Sequence, residues 1–336
     1  MKLTTDQINA LNIGLMVLSC IAAFIFPFEL FLLSYAVLGP LHYLTEISWL
    51  HDRNYFASTD KKKRNQRMMR YWLTLVGMTM VVLLFGLVME KIVYQAISQT
   101  WEIALFYLVF VTAALLTLVK SRGVMMAFIM LTLFGLAFFH ASRYFALTAF
   151  FLVTIIHVLV FTGAFILLGS LRSRSLSGIL SLAVFIVCTV SFFVYAPSGA
   201  GHTVGEYVRN SHSSFRPLNE QLLTLFHLGT GASLDEIYES TAGLMVMRLI
   251  AFAYTYHYPN WFSKTSIIKW HEIPKRRSLL IVAVWLVALG TYAYNYDIGM
   301  IALYVLSILH VMLEFPLNHQ TFASIGRELF AMANEN

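Results

Sequence analysis

The sequence carries little charge. Lysine, arginine, aspartate and glutamate together make up 12% of its 336 residues, whereas soluble globular proteins carry about 25%. A compact soluble body would have too few charged side chains to cover its surface, which excludes a soluble enzyme. The 59% of hydrophobic residues also excludes a disordered chain, because disorder requires low hydrophobicity and high charge.

Cysteine is scarce as well, and both residues, Cys20 and Cys188, lie inside apolar runs. Two isolated cysteines give neither a disulfide framework nor a paired-cysteine metal site. The seven prolines leave long hydrophobic stretches intact. Together with a mean hydropathy of +0.71, these stretches indicate an integral membrane protein.

Crossing a bilayer requires about 20 mostly apolar residues, and the sequence predicts about ten such helices. We therefore expect an all-α fold, a polytopic membrane helical bundle, in a single domain over residues 1–336. Prolines mark several of the breaks, and Pro316 is expected to end the tenth helix. The predicted spans are 8–26, 28–50, 69–90, 101–119, 123–140, 146–169, 176–196, 241–257, 279–296 and 299–316.

One connection is long. Residues 198–240, between the seventh and eighth spans, are predicted to form an extracytoplasmic loop. Within it, Ser233 followed by Glu236 matches the capping-box pattern and predicts that the eighth helix begins there.

The basic residues are distributed unevenly over the connections. In the predicted topology the outer side receives only Lys91, Arg143, Arg209 and Arg216, and the inner side holds nearly all the others. This distribution predicts that both termini are cytoplasmic, in a multi-pass protein of the bacterial inner membrane. It also accounts for the net charge of +6 without a nucleic-acid partner.

Histidine, by contrast, is abundant, with 11 residues. The pattern H-x3-E-x4-H occurs twice, near the inner ends of the second and tenth spans. Residues four apart share one face of a helix, so each His–Glu pair is expected to aim an imidazole and a carboxylate at one point. The two copies are His42-Glu46-His51 and His310-Glu314-His319.

Further histidines map to the same predicted level. His257 ends the eighth span, His271 and Glu272 follow in the next basic loop, and His157 lies deeper in the sixth span. Ionisable groups inside membrane spans are costly and suggest function. The predicted metal ligands are His42, Glu46, His51, His157, His257, His271, Glu272, His310, Glu314 and His319. By contrast, His140, His202, His212 and His227 map to the outer side, where we expect interfacial or solvated residues.

Imidazoles and carboxylates without thiolates suit iron, zinc, copper or manganese. A structural zinc needs only four ligands, whereas the predicted set is large enough for two ions, which favours a pair of irons. Catalytic side chains beyond these ligands are not identified by any motif.

This arrangement resembles the histidine-rich membrane non-haem di-iron oxygenases, which include fatty-acid desaturases and hydroxylases, and the bacterial membrane β-carotene dioxygenases. The H-x3-H and H-x2-H-H boxes of the desaturases are absent, and Pro40-Leu41-His42 with Glu46 stands where the carotene enzymes have Pro-His-Gly-x-x-Asp. The resemblance does not identify the substrate, but ligands at the inner ends of membrane spans predict an oxygenase that acts on a hydrophobic lipid or isoprenoid at the cytoplasmic side of the bilayer. Dioxygen and an electron donor would be its other partners.

Two other classes of protein remain open at this point. Histidines on membrane helices also ligate haem b, and intramembrane His and Glu residues line ion or proton pathways in transporters. Transporters, however, favour sites near the midplane with broken helices, and a haem does not need the paired carboxylates.

Overall fold

The computed structural model describes residues 4–56, 62–91, 100–119, 121–139, 143–197, 204–264 and 273–335. Within these ranges the chain is helical and contains no strand, which confirms the all-α prediction. Two π-helical turns, Ser34–Leu38 and Ile156–Phe161, interrupt the α-helices. The α-helices are α1 (Thr5–Ile25), α2 (Pro27–Leu33), α3 (Gly39–Asp52), α4 (Lys62–Lys91), α5 (Thr100–Leu118), α6 (Arg122–Phe139), α7 (Arg143–Val153), α8 (Thr162–Ser173), α9 (Leu176–Val194), α10 (Glu206–His212), α11 (Arg216–Leu225), α12 (Leu234–Tyr238), α13 (Thr241–Ser263), α14 (Lys275–Tyr294) and α15 (Tyr296–Glu335).

Seven helical stretches in the described ranges are long and apolar enough to cross a membrane. They are Thr5–Ile25, Pro27–Asp52, Arg67–Met89, Ile156–Ser173, Leu176–Val194, Lys275–Tyr294 and Tyr296–Asn334. The count of about ten spans is therefore not confirmed. The fourth and fifth predicted spans coincide with shorter apolar helices, Glu102–Leu118 and Met126–Gly135. The eighth coincides with α13, whose polar residues lower its hydropathy.

The chain divides into two compact units, Met1–Thr45 with Thr154–Leu303 and Glu46–Val153 with Tyr304–Asn336. The core of the first unit is α13, which packs against α1, α2, α9, α11 and α12. Every residue from 246 to 258 is buried. A helix enclosed by protein can carry polar side chains without presenting them to lipid, so α13 tolerates an arginine, a histidine and several tyrosines.

The second unit has its own packing. In it α4 packs against α5, and α5 packs against α6 and α7. The ring of Phe315 on α15 meets Phe106 and Phe110 of α5 edge-on, with centroid distances of 5.4 and 5.0 Å. These aromatic contacts fix the part of α15 that carries the predicted ligands His310 and Glu314.

The prediction that Pro316 ends the tenth helix is wrong, because α15 runs through Pro316 to Glu335. Likewise α13 continues through Pro259 to Ser263. A proline removes one helical hydrogen bond, but in membrane helices neighbouring groups re-satisfy the freed backbone. His319 therefore lies on the same continuous helix as His310, and Glu314 and Asn318 follow His310 at four-residue intervals.

The predicted long loop between spans seven and eight contains structure in its described part, 204–240. Three short helices, α10, α11 and α12, lie there. Ser233 caps α12, and Ser240 caps the long helix α13, so the predicted start of the eighth helix at Ser233 is corrected. The carboxylate of Glu236 accepts hydrogen bonds from the backbone N–H groups of Thr230 (2.8 Å) and Ala232 (3.1 Å) instead of closing the box.

Candidate metal centre

Three histidines from three helical segments meet in the interior of the first unit. His42 lies on α3, His157 in the π turn Ile156–Phe161, and His257 on α13, and all three are buried. One ligand nitrogen of each lies within 4.8 Å of the others. The Nε2 atoms of His42 and His257 are 3.0 Å apart, and the ring centroids of His157 and His257 are 4.9 Å apart. We call these residues the three-histidine group.

The backbone near this group departs from regular α-helix. The π turn Ile156–Phe161 contains His157, and the π turn Ser34–Leu38 ends directly before α3, which carries His42. A π turn inserts an extra residue into a helix and rotates the side chains that follow, and such turns are frequent at functional sites. At Gly39 an added Cβ would lie 3.3 Å from the hydroxyl of Tyr258, so a small residue there permits the close approach of α3 and α13.

The imidazole of His257 is held on its far side by Thr162, whose Oγ1 lies 2.8 Å from Nδ1. Fixing Nδ1 in this way leaves Nε2 to face His42. A second-shell bond of this kind orients a metal-binding imidazole and sets which nitrogen carries hydrogen. The His42 ring is bounded by Tyr258 and by the edge of Trp261, at 5.3 and 5.4 Å between centroids.

The 3.0 Å separation of the two Nε2 atoms is informative about ligation. Two nitrogens bound to one ion at about 2.1 Å lie roughly 3.0–3.4 Å apart for angles between 90° and tetrahedral. The observed pair therefore has a spacing that suits both a hydrogen bond between the two imidazoles and two neighbouring ligands on a single ion. Three imidazoles are also the set of protein ligands found in some catalytic metal sites.

The second unit contains its own group of acidic and imidazole ligands. Glu46, His310 and Glu314 are all buried, and ligand atoms of Glu46 and His310 lie within 4.8 Å of each other. The carboxyl groups of Glu46 and Glu314 lie close enough to interact electrostatically. Like charges this close repel each other unless a cation or a proton offsets them. Asn318 donates from Nδ2 to Glu314 Oε2 at 3.3 Å. We call Glu46, His310 and Glu314 the carboxylate group.

The other predicted ligands do not join either group in the described part of the chain. The side chain of His51 is 66% exposed and lies 3.5 Å from the carboxylate of Asp52. His319 donates from Nε2 to the carbonyl of Phe110 at 3.0 Å, and that nitrogen is thereby occupied. His271 and Glu272 lie outside the described residues.

Sequence reasoning missed Thr162 and Asn318. Asn318 could have been found, because it extends the four-residue spacing of His310 and Glu314 along the same helix. Thr162 had no such signal, because it is five residues from His157 and its partner His257 lies 95 positions away.

The expectation of solvated outer histidines is wrong for His212, which is fully buried. Its Nδ1 lies 3.1 Å from the hydroxyl of Tyr238, and Phe28 meets its ring edge-on at 5.1 Å. Burial, with a smaller contribution from Arg216, lowers the pKa of His212 to about 3. His227 is exposed, while His140 and His202 lie outside the described residues.

Neither a protein-family model, nor a curated protein sequence, nor a solved structure matches this chain.

Proposed function

We propose that the protein is a membrane-embedded, metal-dependent oxidoreductase, a non-haem iron oxygenase acting on a hydrophobic lipid or isoprenoid substrate. The three-histidine group carries this proposal. Three buried imidazoles from separate helical segments present ligand nitrogens within 4.8 Å of one another, and ionisable groups inside membrane spans indicate functional sites. A transition-metal ion is the ligand that neutral imidazoles fit best.

The donor atoms restrict the type of metal to first-row transition metals such as iron, zinc, copper or manganese. Imidazole and carboxylate ligands with open positions suit iron that activates dioxygen, whereas thiolate ligands would favour other metals. The three-histidine group and the carboxylate group each offer one set of ligands, so the proposed content is two ions per chain. Iron held in this way would supply the activation of dioxygen, while the surrounding residues would orient the ligands and exclude water.

The apolar character of the helices supports the proposal that the substrate reaches the site from the lipid bilayer. The helices that carry His42, His157 and His310 lie within stretches long and apolar enough to cross a membrane. A lipid or isoprenoid chain can reach such a site without first entering water. The aromatic rings of Tyr258 and Trp261 beside His42 provide an apolar wall for it.

The contact between His42 and His257 favours a single ion over a haem b. In a bis-histidine haem the two ligand nitrogens lie on opposite faces of the macrocycle, separated by twice the iron–nitrogen bond, about 4 Å. Nitrogens 3.0 Å apart leave no space for a porphyrin between them.

The proposed activity is tested with the purified full chain, reconstituted with ferrous iron and a chemical reductant in vesicles made from lipids of the expression host. Under oxygen-18 gas, lipid products carrying one or two heavy oxygen atoms are expected. The matched control is the His257→Ala variant in the same vesicles, which should give only background labelling. Equal labelling from both proteins, or no labelling by a protein that holds its iron, would contradict an oxygenase.

A further inference from the structure

Helices α1 and α9 run parallel in a constant register. The amide of Asn9 donates to Ser177 Oγ at 2.9 Å, across 168 positions of sequence. Near the opposite end of the two helices, Phe24 packs against Phe192 with ring centroids 4.8 Å apart. This pair is also separated by 168 positions of sequence. Two contacts in one register, near the two ends of the helices, define which residues face each other between them.

Cys20 and Cys188 occupy this same register. Both are buried, and their thiols are close enough to interact with each other. The Sγ of Cys20 also lies 3.7 Å from Ser191 Oγ, one turn beyond Cys188 on α9. The hydroxyl of Ser191 donates to the carbonyl of Cys188 at 2.7 Å, so Ser191 contacts both cysteine residues.

We propose that Cys20 and Cys188 form a redox-active pair that closes to a disulfide between α1 and α9 when hydrogen peroxide reaches it. Hydrogen peroxide is small and uncharged, so it can enter an apolar interior that excludes ions and bulky reagents. The proposal is independent of metal binding, because neither cysteine belongs to the three-histidine group or to the carboxylate group.

The reaction balances with peroxide as the only co-reactant. One sulfur attacks peroxide, an S–O bond forms as the O–O bond breaks, and the departing hydroxide takes up the thiol proton to give water. The second sulfur then attacks the sulfenic acid, an S–S bond forms as the S–O bond breaks, and a second water leaves with the other thiol proton. The two thiols lose two electrons in total, and the peroxide gains them.

The link would act on the core of the first unit, because both helices pack against α13. Asn12 of α1 accepts a hydrogen bond from Tyr256 of α13 at 3.3 Å, and Phe192 of α9 packs on Phe252 of α13 at 5.6 Å. A covalent bond between α1 and α9 therefore fixes the separation of two helices that flank the helix carrying His257.

The test uses the full-length protein in detergent, reduced with a phosphine and then treated anaerobically with hydrogen peroxide. After unfolding in a maleimide reagent, intact-mass analysis should show no maleimide and a mass lower by two hydrogen atoms. Digestion should release one linked peptide pair that contains Cys20 and Cys188. The reduced sample should carry two maleimides.

The matched control is the double variant Val187→Cys with Cys188→Ser. It keeps two cysteines but moves one to an exposed neighbouring position outside the register, so the linked pair should not form. The proposal is overturned if wild-type protein keeps both free thiols, gives sulfinic acid without a disulfide, or links different chains. Equal linkage in the register-shifted variant would overturn it as well.

Discussion

The imidazole of His257 is fixed from two directions, by Thr162 at Nδ1 and by His42 at Nε2. Its position on a fully enclosed helix leaves little freedom for the ring to rotate. His51, at the end of the helix that carries His42, is exposed instead. Replacing His257 therefore tests whether the buried group binds metal, and replacing the exposed His51 provides the control.

Replacing His257 by alanine is expected to lower metal affinity by at least about 10- to 100-fold, because loss of a direct ligand should exceed the loss of an outer partner. The check is the metal retained by the purified variant after dialysis against a chelator. His51→Ala is the control and should keep its metal. Loss of metal in His51→Ala together with retention in His257→Ala would contradict the site.

Thr162→Val keeps the shape of the side chain and removes the hydroxyl that orients His257. We expect about a tenfold loss of metal affinity with the helical content unchanged. Thr162→Ser restores the hydroxyl and should recover most of the affinity, as measured by titration with the metal. Equal affinities for the valine and serine variants would show that the hydroxyl does not position the ring.

At the scale of helices, the amphipathic and apolar patterns predicted where most of the long helices lie, but not how their prolines and caps behave. The prediction of a helix break at Pro316 was wrong because the local sequence does not show that neighbouring groups support α15 through this proline. Ser233 and Glu236 match the capping-box pattern in sequence, but the carboxylate of Glu236 accepts a hydrogen bond from the backbone N–H of Thr230 instead. The π turn that holds His157 has no propensity signal, since it results from packing.

The sequence also predicted only part of the candidate site, namely the part that lies within one helix. The four-residue spacing of His310 and Glu314 was readable because it lies within one helix. The meeting of His42 with His257 depends on contacts between residues 215 positions apart, which no local pattern encodes. The burial of His212 was missed for the same reason, because the aromatic residues that enclose it come from distant helices.

The segment 204–240 should respond to acid through His212. Its pKa falls from an ordinary 6.5 to about 3 in the fold, so below pH 6.5 the unfolded chain gains a proton that the folded chain does not. Stability is therefore complete above this pH and is lost as the pH falls toward 3. From pH 7 to 5 the loss is about 2 kcal/mol.

Thermal unfolding of the full chain in detergent at pH 7 and pH 5 measures this effect. The wild-type melting temperature should fall more between these values than that of His212→Gln, which does not titrate. Parallel pH dependence in the two proteins would mean that other groups govern acid stability.

For the molecule as a whole, the distribution of basic residues predicts a membrane orientation. The turn after α8 and the segment 204–240 lie at opposite ends of α9, whose 19 residues span about 28 Å at the usual helical rise. Arg172 lies in the last turn of α8 and Arg174 follows the helix, so the turn is basic and is predicted to be cytoplasmic.

Single cysteines at Ser173 and Asp235, introduced after Cys20 and Cys188 are changed to serine, test this orientation. In intact cells a membrane-impermeant maleimide should label Asp235→Cys, and Ser173→Cys should react only after the membrane is opened. The reverse pattern would invert the topology, and labelling of both in intact cells would remove α9 as a membrane span.

The metal content of the purified wild-type protein tests the central claim most directly. Elemental analysis of protein from iron-replete cells should find about two transition-metal ions per chain, mainly iron, because the two buried groups together exceed one coordination sphere. The visible spectrum should be weak and broad, without a Soret band. A metal-free protein, a single zinc ion per chain, or an intense Soret band would contradict a buried non-haem iron centre.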